Sequence, residues 1–109
     1  MEYIIALGSN LHLPNSNLNK AKQLISEKLG KPVRESSRYW TKPLIHPEYP
    51  NPNQNRYLNS VVIVDCDLAP DKVLEELQGI ERQLGRVREN ELHPWSPRTI
   101  DLDLSLIHI

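Results

Sequence analysis

Apolar positions near the N-terminus change their period within thirty residues. Tyr3-Ile4-Ile5-Ala6-Leu7 is an unbroken apolar run of strand length closed by Gly8-Ser9-Asn10, which predicts a buried strand entering a turn. Further along, Leu18, Ala21, Ile25 and Leu29 are apolar. Their i, i+3, i+4 spacing predicts a helix capped by Asn15 or Ser16 and stopped at Gly30. A strand is expected over 33–41. Residues 42–55 hold four of the nine prolines and three asparagines, so a long loop follows. A second β-rich run covers 57–64. Pro70 then suits the first turn of another helix, with Val73, Leu74, Leu77, Ile80 and Leu84 as its buried stripe. The last strand is expected over 100–104.

This β-α-β-β-α-β order is the split pattern of a ferredoxin-like α+β sandwich, a four-stranded antiparallel sheet with two helices on one face. At 109 residues the chain makes a single domain, 1–109, with a modest core. Its formal charge of −1 supplies no net basic field, which argues against nucleic acid or a membrane surface as partner. Cys66 stands alone, so no internal disulfide forms and a reducing compartment fits. No long apolar run or signal peptide is present, and a cytoplasmic monomer acting on small molecules is expected.

Candidate chemistry concentrates in Trp95-Ser96-Pro97-Arg98-Thr99-Ile100-Asp101-Leu102-Asp103. On a strand, Asp101 and Asp103 share one face roughly 7 Å apart while Leu102 points to the core. Two carboxylates at that reach can hold a pair of divalent cations about 3.5–4 Å apart. Taken alone, Asp-Leu-Asp could equally be a solvated strand face. Arg86, Arg88 and Arg98 bracket the segment leading into the aspartates, and fork-shaped guanidinium groups suit phosphate oxygens. The combination reads as a metal–polyphosphate site. Tyr57 and Asn59 lie two apart on a strand and so share a face, offering an aromatic surface and an in-plane amide to a flat polar ring. Ordinary strand packing explains that pair equally well. His12, His46 and His93 have no metal-ligand spacing and read as loop residues.

With these residues in view, the chain resembles the 6-hydroxymethyl-7,8-dihydropterin pyrophosphokinases, folate-pathway enzymes. The likeness runs from Ala6-Leu7-Gly8-Ser9-Asn10-Leu11 through Tyr57-Leu58-Asn59 and Glu81…Gly85-Arg86…Arg88 to Pro97-Arg98-Thr99-Ile100-Asp101-Leu102-Asp103. The resemblance implies transfer of the β,γ-diphosphate of ATP to the pterin hydroxymethyl group, with release of AMP and use of two Mg2+ ions. It makes Asp101 and Asp103 the magnesium ligands, and it places Gln78, Glu81, Arg88, Arg98 and Ile100 at the nucleotide. Arg86 and Arg98 would stabilise developing charge. On the pterin side it implies Thr41, Pro43 and Leu44 as a border, Tyr57 as the stacking ring, Asn59 as the amide reader and Trp95 as the closing ring. Without the resemblance, Glu81 reads as an exposed helical carboxylate paired with a nearby arginine.

Several segments depart from the family pattern. The loop after Leu44 is longer than usual, and 89–94 is stretched by about two residues. Pro94 stands where a basic residue is usual, and Ser96 where glycine or alanine is. The family's C-terminal third, with further arginines and a second pterin-stacking aromatic, is missing, and Ser105 replaces an aliphatic. Leu104-Ser105-Leu106-Ile107-His108-Ile109 matches the translation of a common transposon-end adapter, so a gene fragment with adapter-derived final residues is expected. Two alternatives to an active pyrophosphokinase stay open: a non-catalytic nucleotide- or metabolite-binding module, and a truncated enzyme that binds ATP but turns over poorly.

Overall fold

Burial alternates residue by residue along the longest strand, where Leu58, Ser60, Val62 and Val64 are buried and the residues between them are not. One face of the sheet is therefore covered and the other is not. The computed structural model describes residues 1–11, 13–42, 47–48, 55–85 and 100–107. They form β1 (Glu2–Ser9), α1 (Pro14–Lys28), β2 (Pro32–Glu35), β3 (Tyr39–Thr41), β4 (Tyr57–Asp65), α2 (Pro70–Gln83) and β5 (Asp101–Ile107).

The strands run β2-β4-β1-β5, all pairs antiparallel, with β3 also pairing β4. The expected α+β ferredoxin-like sandwich is the fold observed. Its outer lane is divided: β2 pairs the far end of β4 near Val62 to Val64, and β3 pairs the near end at Tyr57 to Asn59. One strand was expected over 33–41, and the break at 36–38 has a local cause. Ser36 N–H donates to the Val61 carbonyl at 2.8 Å, while the Val61 N–H donates to Ser36 Oγ at 2.9 Å. The hydroxyl takes the place of a backbone acceptor and ends the regular ladder, as side chains of this kind do in competition with secondary structure.

Tyr3, Ile5, Leu7, Leu18, Ala21, Ile25, Val62, Val73, Leu77, Ile80, Ile100 and Leu102 build the core between the helices and one sheet face. Leu74, expected in the α2 stripe, is 43% exposed, because its neighbours Val73 and Leu77 already occupy the inward side of that turn. The first helix starts at Pro14 with Leu13 at its N-cap, two to three residues earlier than a cap at Asn15 or Ser16 requires, since proline's fixed φ suits N1. Asn17 turns inward instead, donating to Ser9 Oγ at 3.0 Å and to the Leu11 carbonyl at 2.8 Å. Gly30 ends the helix with φ +140°. The free thiol of Cys66 is buried as packing. No helix among the described residues is long and apolar enough to cross a membrane.

Candidate active site

Three expectations meet on the sheet face opposite α1 and α2, the helices among the described residues. Leu7 and Leu102 pair across β1 and β5 and both lie in the core, so their neighbours Gly8, Asp101 and Asp103 belong to the opposite face. By the same alternation Tyr57, Asn59 and Val61 face that way from β4, and Tyr39 and Thr41 from β3. Cross-strand pairing arranges them in rows. Asp101 stands opposite Gly8, Gly8 opposite Asn59, and Asn59 opposite Tyr39. Asp103 begins the next row, opposite Ala6, which stands opposite Val61. With adjacent strands about 4.8 Å apart, the Asp101 and Asn59 backbones are separated by roughly 10 Å, one lane apart on either side of β1.

The strand carrying Gly8 continues through Ser9 rather than turning at Gly8-Ser9-Asn10, because Gly8 and Ser9 both pair with β4. Beyond the strand, Asn10 Nδ2 donates to the Asn55 carbonyl at 3.2 Å and Asn55 Nδ2 returns a bond to the Asn10 carbonyl at 3.3 Å. This exchange joins the end of β1 to the chain leading into Tyr57.

The carboxamide of Asn59 has a defined orientation. Its Nδ2 donates to Thr41 Oγ1 at 2.9 Å, to the Tyr39 carbonyl at 3.2 Å and to the Tyr57 carbonyl at 3.2 Å. Acceptors on that side require the NH2 there, so Oδ1 lies on the Gly8 side, presenting an acceptor towards the aspartate half of the face. Thr41 thus holds the amide through its own hydroxyl.

Among the described strands β5 lies at the sheet edge, and alternate N–H groups of an edge strand point away from its neighbour. The Leu102 N–H, between the two aspartates, donates to Glu81 Oε2 at 2.9 Å. Glu81 is only 2% exposed, so it is not the exposed helical carboxylate that its helix position alone suggests. Ile100 is fully buried in the core. Both were expected at the nucleotide; as folded, one supports the backbone of β5 and the other packs beneath it. Gln78 is exposed on α2, Asp103 is exposed, and Asp101, Tyr57 and Asn59 are half-buried. Arg86, Arg88, Arg98, Trp95, Pro43 and Leu44 lie outside the described residues, as do His12, His46 and His93.

Magnesium fits the donor set. No group of three or more metal-ligating side chains occurs among the described residues, but two carboxylates on one face are what an ion needs that keeps several waters and takes phosphate oxygens. The part of Gly8 was not legible in the sequence, since a glycine at the end of an apolar run reads as a turn. The Glu81–Leu102 bond carried no signal either, because it joins residues 21 apart in the chain.

The sequence profile of a family described as 7,8-dihydro-6-hydroxymethylpterin-pyrophosphokinase matches residues 4–109. The 2-amino-4-hydroxy-6-hydroxymethyldihydropteridine pyrophosphokinase of Haemophilus influenzae is 43% identical over 103 residues, covering 94% of this chain and 59% of that one. The protein of the same name from Pseudomonas putida is 37% identical over 103 residues, covering 94% and 78%. A folate synthesis bifunctional protein of Chlamydia caviae is 35% identical over 102 residues, covering 94% of this chain and 22% of its own. The chain therefore spans about three-fifths of the Haemophilus relative.

Proposed function

The chain belongs to the 7,8-dihydro-6-hydroxymethylpterin-pyrophosphokinase family, and from that premise we propose that it transfers diphosphate from ATP to the hydroxymethyl group of 6-hydroxymethyl-7,8-dihydropterin. The observation that carries this reading is the row Asp101–Gly8–Asn59 on the face opposite α1 and α2. It sets Asp101 and Asn59 on one face on either side of β1, which supports a reading in which that face serves both substrates.

In this reading the pterin stacks on Tyr57, and Asn59 Oδ1 accepts from a ring N–H or amino group. Asp101 and Asp103 would hold two magnesium ions, which would neutralise charge on the ATP phosphates. The exposed Gln78 sits on the helix side of the sheet and the aspartates on the other, so in this reading the nucleotide passes beside β5 from one side of the sheet to the other. Arg86, Arg88 and Arg98 are assigned to the phosphates and Trp95, Pro43 and Leu44 to the pterin, by family likeness. The pterin hydroxyl attacks the β-phosphorus in line. A new O–P bond forms, the α,β-bridging P–O bond breaks, and AMP departs with those electrons while the hydroxyl proton is lost. Holding the two reactants in that geometry supplies most of the acceleration.

The residues described contain no dedicated strong base at the reacting hydroxyl, and phosphoryl transfer of this kind depends on positioning more than on proton abstraction. A buried lone thiol and a charge of −1 accord with a cytoplasmic monomer serving small molecules. The test is AMP release from ATP, magnesium and 6-hydroxymethyl-7,8-dihydropterin, together with calorimetric titration of ATP with and without magnesium. Magnesium-dependent uptake and pterin-dependent AMP are expected. Equal weak ATP uptake in both titrations, with no AMP, overturns the proposal.

A further inference from the structure

Gly8 occupies an unfavourable place for a glycine. It is buried inside the central strand, paired on both sides, and glycine in a strand interior weakens it by roughly 0.5–1 kcal/mol relative to alanine. Its backbone does not demand glycine, for the positive-φ glycines are Gly30 and Gly85. What the position lacks is a side chain. A Cβ there would lie 3.3 Å from Asn59 Oδ1 and 3.6 Å from Tyr57 Cδ1. The ring and the carboxamide of β4 therefore lean over β1, into space that any other residue would fill.

From this we infer that Gly8 is a positioning residue for ring recognition: its bare Cα lets Tyr57 and Asn59 reach across the central strand towards Asp101 and Asp103. Asn59 cannot retreat freely, because its Nδ2 is tied to Thr41, Tyr39 and Tyr57. A methyl at position 8 thus displaces the acceptor oxygen by a few tenths of an ångström and comes into van der Waals contact with the stacking ring, against which any larger side chain would press. Positional errors approaching 1 Å in a binding constellation cost on the order of 100-fold, so a larger side chain has the larger effect. The inference rests on the pterin reading given above.

Gly8→Ala and Gly8→Val in the full chain test it by two readouts that move in opposite directions. Thermal unfolding of Gly8→Ala is expected at or above the wild-type midpoint, since alanine at a compatible φ narrows the unfolded ensemble. Affinity for 6-hydroxymethyl-7,8-dihydropterin, titrated by fluorescence, is expected to fall about 10-fold for alanine and about 100-fold for valine, with magnesium-dependent ATP affinity of Gly8→Ala within about twofold of wild type. Unchanged pterin affinity in both variants overturns the inference while leaving the function intact. An unfolded Gly8→Ala protein, or parallel loss of pterin and ATP binding, also overturns it by making the glycine structural. A wild-type chain that takes up no pterin overturns the functional reading and the inference together.

Discussion

Removing the Glu81 carboxylate tests how the metal-facing strand is held. In Glu81→Ala the Leu102 N–H loses the Oε2 acceptor at 2.9 Å in a setting where Glu81 is 2% and Leu102 4% exposed. A hydrogen bond to a charged group contributes about 1.5–3 kcal/mol, and the one buried methylene that alanine lacks adds about 0.8 kcal/mol. The expected cost is therefore about 2–4 kcal/mol, which for a domain near 100 residues lowers the melting midpoint by about 15 °C. Glu81→Gln keeps both methylenes and a carbonyl acceptor, so its cost is about 1 kcal/mol and about 5 °C. Because Leu102 lies between the aspartates, Glu81→Ala should also weaken magnesium-dependent ATP binding at least about 10-fold, and Glu81→Gln by less than about threefold. Calorimetric melting and ATP titration read both quantities. If Glu81→Ala melts with the wild type, the bond does not anchor β5. If Glu81→Gln binds ATP as poorly as Glu81→Ala, the carboxylate charge acts on the nucleotide itself and the backbone role is refuted.

Asp103→Ala should abolish the magnesium dependence of ATP binding while shifting stability by no more than about 0.5 kcal/mol, as Asp103 is exposed; a retained magnesium effect in the titration counts against its ligand role. Gly30→Ala places a Cβ 3.3 Å from the Asp65 carbonyl at φ +140°, and a cost of roughly 1–2 kcal/mol in urea unfolding is expected. Tyr3 donates to the Leu68 carbonyl at 2.6 Å, and its pKa is raised, first by burial and then by Cys66 and Asp71. The neutral phenol therefore contributes stability that is complete below the unfolded-state value near 10 and is lost as pH climbs through the higher folded-state value. Tyr3→Phe should flatten this alkaline decline in a pH series of unfolding midpoints, and an unchanged slope contradicts it.

The fold was legible wherever burial was one-sided. Leu18, Ala21 and Ile25 on α1, and Val73, Leu77 and Ile80 on α2, announce their helices because only one face meets the sheet. Asp101 and Asp103 were equally plain, since a strand cannot turn both away from Leu102's core side without aligning them. Illegible were the features that depend on contacts between distant segments. Ser36 interrupts the outer lane only because the Val61 N–H is there to donate to its hydroxyl, and Glu81 changes from a surface carboxylate to a buried acceptor only because the edge of β5 lies against α2. Gly8 looked like punctuation, although its meaning comes from Asn59 and Tyr57 fifty residues on.

The strict alternation along β5 gives this protein a rule of parity. Even positions Leu102 and Leu104 serve the interior, and odd positions Asp101 and Asp103 serve the opposite face. Inserting or deleting one residue inside that strand would exchange the two sets, driving both carboxylates beneath the helices and two leucines into water. Within β5, changes of length are therefore admissible only in steps of two.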